Sequence, residues 1–260
     1  MSAAENEASV QKVDDDLQRL IVEIGTQGLD TEVTPGGSPV TIPKLLRKRL
    51  GLKEAVPSAQ FDVILFDVGG VLLTNGWDHK ERAVVLQHFN LDRAEFESRH
   101  EQPNDAWERD LLTIQGYLDA TVFYQPRSLT PGDFIEVMKA QSVPIPSTGI
   151  PVLKELAHSD RYLVGVLNNE SRELHEYRME QYGLKPYLDV QLSSCYLGMR
   201  KPDADIYRRA IDIVGRPASR ILFIDDRAGN TDAARSAGMT AIQFLGEENL
   251  RAQLKELEIL

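Results

Sequence analysis

The chain reads as an α/β protein, a parallel sheet with helices on both faces and an inserted helical subdomain. Three observations predict this. From Phe61 onward, short apolar runs alternate with helical patterns. The runs are almost wholly apolar, as strands buried on both faces must be. About 100 residues separate the first run from the second, far more than one crossover helix needs.

The strands are predicted at residues 62–66 (DVILF), 162–167 (YLVGVL), 190–193, 221–224 (ILFI) and 240–244. Helical spacing marks 151–158, 171–182, 204–214 and 230–237 as the connections. Within the long interval, residues 81–89, 93–100, 117–124 and 132–140 look helical, with Pro103, Gly116, Pro126 and Pro131 as breaks. The expected division is an N-terminal extension at 1–56, a core at 57–77 and 146–260, and a helical insert at 78–145 placed over the strand ends.

The extension differs from the rest. Residues 2–8 are small and polar and are expected to be disordered. Val13, Leu17, Leu20, Ile21 and Ile24 predict a helix over 10–24, and Pro35-Gly36-Gly37-Ser38-Pro39 predicts a loop. The stretch 44–50 (KLLRKRL) is basic and amphipathic on an otherwise acidic chain. Two readings stand for it: a helix face packing on the main domain, or a contact with a partner or with a second copy in a homodimer.

Composition excludes several classes. The chain has 260 residues, a formal net charge of −11 and 42% hydrophobic residues, enough for a sizeable core. The acidic balance argues against nucleic acid or an anionic membrane as partner. A single cysteine excludes an intramolecular disulfide framework and a Cys-rich zinc site. No apolar run reaches about 18 residues, and MSAAENEASV lacks a basic start followed by an apolar stretch. The expected location is the cytoplasm.

In parallel sheets, ligands bind at the carboxyl ends of the strands. The first strand ends in Asp67-Val68-Gly69-Gly70-Val71, and the second in Asn168-Asn169. Lys201-Pro202-Asp203 opens the helix after the third strand. Asp225-Asp226 ends the fourth, with Asn230 shortly after. Carboxylates gathered at one rim repel each other unless a cation joins them. With no His or Cys cluster, an oxygen-preferring Mg²⁺ is the natural candidate.

The motifs FDVGGV (66–71), LNN (167–169), RKPD (200–203) and FIDDRAGN (223–230) occur in this order. They resemble those of the haloacid dehalogenase-like (HAD) hydrolase superfamily. Residues 197–203 are especially similar to its sugar-phosphate phosphatases and epoxide-hydrolase N-terminal phosphatase domains. The resemblance covers about residues 60 to 245. It implies a Rossmann-like core with a helical cap, and a small phosphorylated metabolite, such as a sugar phosphate, as substrate. It implies that Asp67 is the nucleophile, forming an aspartyl-phosphate. Asp67, the carbonyl of Gly69 and Asp226 would hold Mg²⁺, with Asn230 behind them. Lys201 would offset charge on Asp67 and the phosphoryl group, and Asp225 would orient Lys201 or hold a metal-bound water. Asn168, Asn169 and Lys201 would take the phosphoryl oxygens.

Two positions depart from the family pattern. The usual acid/base Asp, two residues after the nucleophile, is here Gly69, and Asn168 stands where Ser or Thr is usual. Losing a general acid typically costs about 10²–10⁴ in rate. The leaving group can be one that needs little protonation, such as an acyl phosphate or a sugar 1-phosphate. Asp78 or His79 can substitute. Or the chain is a catalytically weak or inactive protein that binds a phosphorylated ligand. A metal-free dehalogenase is disfavoured, because Asp225 and Asp226 would stand uncompensated beside Asp67.

The other polar and aromatic residues read more plainly. Cys195, Trp77 and Trp107 are expected to pack. His88, His100, His158 and His175 fit surface or local hydrogen-bonding roles. Tyr124, Arg127 and Gln141 lie at breaks in the insert and could face substrate. Arg200 and Arg227 could bind a second anion or make structural ion pairs.

Overall fold

The computed structural model describes residues 60–260. The expected helix at 10–24, the loop at 35–39 and the basic stretch at 44–50 lie outside the described residues.

Five strands form one parallel sheet: β1 (Val63–Phe66), β2 (Leu163–Asn168), β3 (Val190–Ser193), β4 (Ile221–Asp225) and β5 (Thr240–Gln243). Their order is β3-β2-β1-β4-β5. The central strands β1, β2 and β4 are buried along their whole length, as their unbroken apolar runs require. Four helices lie between β1 and the helix that leads into β2: α1 (His79–His88), α2 (Arg93–Glu108), α3 (Ile114–Thr121) and α4 (Pro131–Lys139). The remaining helices are α5 (Ile150–His158), α6 (Arg172–Gln181), the single turn α7 (Ser194–Leu197), α8 (Ala204–Val214), α9 (Ala228–Ser236) and α10 (Glu247–Glu256).

Two hydrophobic clusters cover the sheet. One joins Ile64, Phe66 and Val166 to Leu153 and Leu156 of α5, Met179 of α6 and Leu250 and Leu254 of α10. The other joins Leu65, Leu167 and Phe223 to Ile206, Tyr207 and Ala210 of α8 and Ala234 of α9. A third cluster belongs to α1–α4: Val85, Phe96, Trp107, Tyr117, Phe134 and Met138 pack together with Trp77 and Leu174. Trp107 stacks on Tyr117 at 4.5 Å between ring centroids.

The structure corrects the expected breaks in two places. Pro103 lies inside α2 rather than ending it. Proline removes one backbone hydrogen bond there, but His100, Asn104 and Trp107 bury one continuous face across it. Gly116 is within the first turn of α3, its N–H donating to the Thr113 hydroxyl at 3.1 Å. Thr113 as N-cap starts this helix three residues earlier than its apolar pattern suggested. Pro131 does open a helix, with Thr130 and Asp133 forming a reciprocal capping box. Helices α7 and α10 were not expected. Among the described residues, no helix is long and apolar enough to cross a membrane.

Gly165 shows how closely β2 and β3 pack. A Cβ there would lie 2.5 Å from Val190 Cγ1 and 2.6 Å from the Val190 carbonyl oxygen. Because the second neighbour is backbone, the strands themselves would have to part. Gly165→Ala is therefore expected to lower stability by about 1–3 kcal/mol. A urea midpoint that falls at unchanged slope is the measurement, and an unchanged midpoint would contradict this packing.

Candidate active site

The chain leaves β1 toward β2 and β3 on one side and returns to β4 on the other. Strand order reverses at β1 and β4, and crevices form at such points. Phe66 pairs in register with Ile224. Asp67 and Asp225 therefore emerge level with each other, and the Asp67 N–H donates to the Ile224 carbonyl at 2.7 Å.

Lys201 joins them. Its Nζ is 2.9 Å from Asp67 Oδ1 and 2.6 Å from Asp225 Oδ2, and all three side chains are buried. Burial disfavours the ammonium, but Asp225 and Asp67 outweigh it and hold Lys201 above its usual pKa. The Asn169 amide fixes the lysine backbone, accepting from Lys201 N–H and donating to Lys201 C=O, each at 2.8 Å. Asp225 is saturated: Oδ1 also accepts from Arg227 N–H at 2.8 Å, and Asn230 Nδ2 donates to both oxygens at 3.0 Å.

Asp226 is different. Its Oδ1 is buried and has no hydrogen-bond partner. One carboxylate oxygen each of Asp67, Asp225 and Asp226 lie within 4.8 Å of one another. Gly70 brings Asp226 this close: its φ is +70°, and an added Cβ would run into the Asp226 carboxylate. Burial, helped by Asp225 and Asp226 and opposed by Lys201, raises the Asp67 carboxyl to about 8. An all-oxygen set with one orphaned oxygen, crowded by its own charge, fits a hard divalent cation.

The site opens into a cavity of about 320 Å³ lined by Asp67, Lys201, Asn230 and residues of the α1–α2 region. Gly69 lines it beside Asn75, and a Cβ at position 69 would lie 2.8 Å from Asn75 Oδ1. The space for the missing acid is thus occupied by Asn75. Asp78 and His79 are both on the wall. Asp78 pairs with Arg227 at 2.8 Å and caps α1 through the His79 N–H. His79 is exposed, with Nδ1 2.9 Å from Arg82 Nη2.

A model of haloacid dehalogenase-like hydrolases matches residues 61–238. The chain belongs to this family. Among curated relatives, a flavin mononucleotide hydrolase of Arabidopsis thaliana is 34% identical over 29% of this chain and 31% of its own length. The chain spans less than a third of the length of the first two curated relatives. A sesquiterpene phosphatase, astK, of Aspergillus oryzae is 22% identical over 76% of this chain and 96% of its own. A solved HAD family enzyme of Bacteroides thetaiotaomicron, BT-2542, is 18% identical, with a TM-score of 0.65 over 75% of this chain and 99% of its own. Another structure of that enzyme is a complex with magnesium and inorganic phosphate. These structural likenesses show the fold.

Within this HAD core, Asp67, Lys201, Asp225, Asp226 and Asn230 come together. Asn168 lies behind them, its Nδ2 3.4 Å from His175 Nδ1, and Asn169 turns its amide to the Lys201 backbone. Arg200 meets Asp105 at 2.9 Å and Glu108 at 2.7 Å, and Arg227 meets Asp78, so the ion-pair reading of both holds. Tyr124, Arg127 and Gln141 do not line the cavity; Arg127 binds Val122 O and the Tyr124 hydroxyl instead. Cys195 is buried and packs, with its thiol pushed up to about 11 by burial. Asn75, His100, Asn104, Glu170 and Arg178 line the cavity without having been singled out for it. Buried Arg178 pairs with Glu170 and donates to Thr74 C=O, tying the loop after the glycines to β2's end.

His175 gives a pH prediction. Burial lowers its pKa from 6.5 to about 4, so the folded state holds it neutral, with Nε2–H donating to Gln191 Oε1 at 3.0 Å. A depressed histidine contributes stability that is present above 6.5 and lost as pH falls toward 4. The stability gap between wild type and His175→Gln is therefore expected to be widest at pH 7.5 and narrower at pH 4.5. Urea midpoints of both proteins at the two pH values measure it, and a gap that widens on acidification would be the contrary result.

Proposed function

We propose that this chain hydrolyses a small phosphorylated metabolite, a sugar phosphate or similar monoester, through an aspartyl-phosphate on Asp67. The observation that carries it is the Lys201 ammonium held between Asp67 and Asp225 beside the unpartnered Asp226 oxygen. Asp67 Oδ1 is anchored by the Val68 N–H at 2.8 Å and by Lys201. That leaves the other oxygen to attack phosphorus. The bond from phosphorus to the leaving oxygen breaks as the bond to Asp67 forms, and water then attacks phosphorus to release inorganic phosphate and the free carboxylate. Lys201 neutralises the anion that approaches Asp67. Asp225 aims Lys201 and keeps it charged, and Asn169 fixes the backbone it hangs from. Asn169 flanks the phosphoryl pocket, while Asn168, expected to take a phosphoryl oxygen, is buried behind it and faces His175.

Asp67, Asp226 and the Gly69 carbonyl would hold Mg²⁺, with Asn230 behind them. The ion would supply positive charge against the phosphoryl oxygens and let Asp67 stay ionised. Residues 78–145 would act as a cap over the core, limiting the access of water to the cavity. With Gly69 in place of an acid and Asp78 held by Arg227, the substrates are esters whose leaving oxygen needs little protonation. A sugar 1-phosphate meets that demand, and so does an acyl phosphate, an anhydride rather than an ester.

The test is phosphate release from a panel of sugar phosphates, acyl phosphates and nucleotides, with Mg²⁺ or EDTA. Release is expected to need Mg²⁺ and to fall about 10³-fold or more in Asp67→Asn. Gly69 favours a second reading, a phospho-ligand-binding protein without turnover. Equal background release from wild type and Asp67→Asn, with phosphate still raising the melting temperature, would support it instead.

A further inference from the structure

We infer that Asn75 is a catalytic residue, whose side-chain amide N–H donates a hydrogen bond to the oxygen that leaves phosphorus, at the place where position 69 carries no side chain. The inference rests on the phosphatase reading and deepens it.

Asn75 lies against Gly69, which is two residues from Asp67 in the chain, and all three line one cavity. A Cβ at position 69 would meet Asn75 Oδ1 at 2.8 Å, Asn75 Cα at 3.3 Å and Asn75 Cγ at 3.6 Å. Oδ1 is therefore the amide atom nearest Gly69, and Nδ2 with its two N–H groups is left for a ligand. Among the described residues, none hydrogen-bonds the Asn75 amide. Other amides on the same wall are engaged: Asn169 holds the Lys201 backbone, and Asn230 holds Asp225.

The loop holds that amide still. Thr74, just before it, is tied three ways. Its C=O accepts from buried Arg178 of α6, its N–H donates to Val143 C=O at 2.8 Å, and its hydroxyl donates to Gln141 C=O at 2.7 Å. Asn75 C=O itself accepts from the Trp77 N–H at 2.8 Å. Gly76, at φ +69°, lies against Arg178 and its partner Glu170. A fixed donor placed where charge develops costs no reorganisation during the reaction.

Asp78 and His79, which follow on the same wall, are engaged elsewhere. Asp78 Oδ1 accepts from the His79 N–H and Oδ2 from Arg227. The His79 side chain is 73% exposed, and its Nδ1 accepts from Arg82. An amide gives up no proton, so the part of Asn75 is electrostatic. As Asp67 bonds to phosphorus, the bond to the leaving oxygen breaks and its electron pair stays on that oxygen. Asn75 Nδ2–H stabilises the charge, and the oxygen then takes a proton from water. Such help counts most where the charge is concentrated and least where the leaving group spreads it.

The test is kcat/KM with Mg²⁺ for α-glucose 1-phosphate, phenyl phosphate and 4-nitrophenyl phosphate, in wild type, Asp67→Asn, Asn75→Ala, Asn75→Asp, Asp78→Asn and His79→Gln. Asn75→Ala is expected to slow glucose 1-phosphate about 10–100-fold, the worth of a hydrogen bond to a charged oxygen, and phenyl phosphate less. It should leave 4-nitrophenyl phosphate, whose nitro group spreads the charge, within about threefold. A merely structural role would slow all three alike. Where the sugar ester is not turned over, the two aryl esters carry the comparison. Asn75→Asp has the same shape but donates only when protonated. Its rate relative to wild type should therefore rise about fivefold or more from pH 8 to pH 5 on the poorest leaving group turned over, and it decides if Asn75→Ala does not fold. Equal losses on all esters, a flat ratio for Asn75→Asp, or a selective loss in Asp78→Asn or His79→Gln instead overturns this inference alone. Release from none of the esters, or equal release from Asp67→Asn, overturns the phosphatase reading and this one with it.

Discussion

The buried ammonium of Lys201 is the interaction on which the site depends. Two carboxylates at the ends of adjacent parallel strands would repel each other and resist burial. Lys201 makes their burial tolerable, and the molecule devotes several groups to keeping it there. Asn169, from the end of β2, clamps the lysine backbone on both sides. Asn230, from α9, and the Arg227 N–H fill the remaining valences of Asp225. Three strand ends and two helix starts thus converge on one nitrogen. The register of β1 and β4 is what makes the convergence possible, because a slip of one residue would turn Asp67 to the other face.

The loop after β1 carries the second constraint. Gly70 lets the backbone pass against Asp226, and Gly69 leaves room that Asn75 fills. A carboxylic acid at position 69 would displace Asn75, which neighbours Gly76, against which Arg178 and Glu170 pack.

The α1–α4 helices have a hydrophobic cluster of their own, and that cluster does more than hold them together. Trp77 and Tyr117 are part of it, and the Trp77 indole donates to the Tyr117 hydroxyl, which lies 2.8 Å from His100 Nδ1 on the cavity wall.

Much of this was legible from the residues alone. The three central strands announced themselves as nearly unbroken apolar runs, because burial on both faces leaves no room for alternation, while the outer strands β3 and β5, only partly buried, gave weaker signals. Asp67, Lys201, Asp225 and Asp226 were found because parallel strands deliver their ends to one rim. The breaks at Pro103 and Gly116 were misread because local propensity yields to a buried face and to a capping threonine. Tertiary structure alone decided the rest. That Asn75 sits against Gly69, that Arg82, Arg200 and Arg227 meet Glu97, Asp105 and Asp78, and that Asn104 keeps an unpartnered carbonyl oxygen depends on contacts between residues apart in the chain. No spacing rule encodes those contacts. They arise only when the helices fold back over the sheet, where burial makes each unpaired polar group costly and so makes its partner matter.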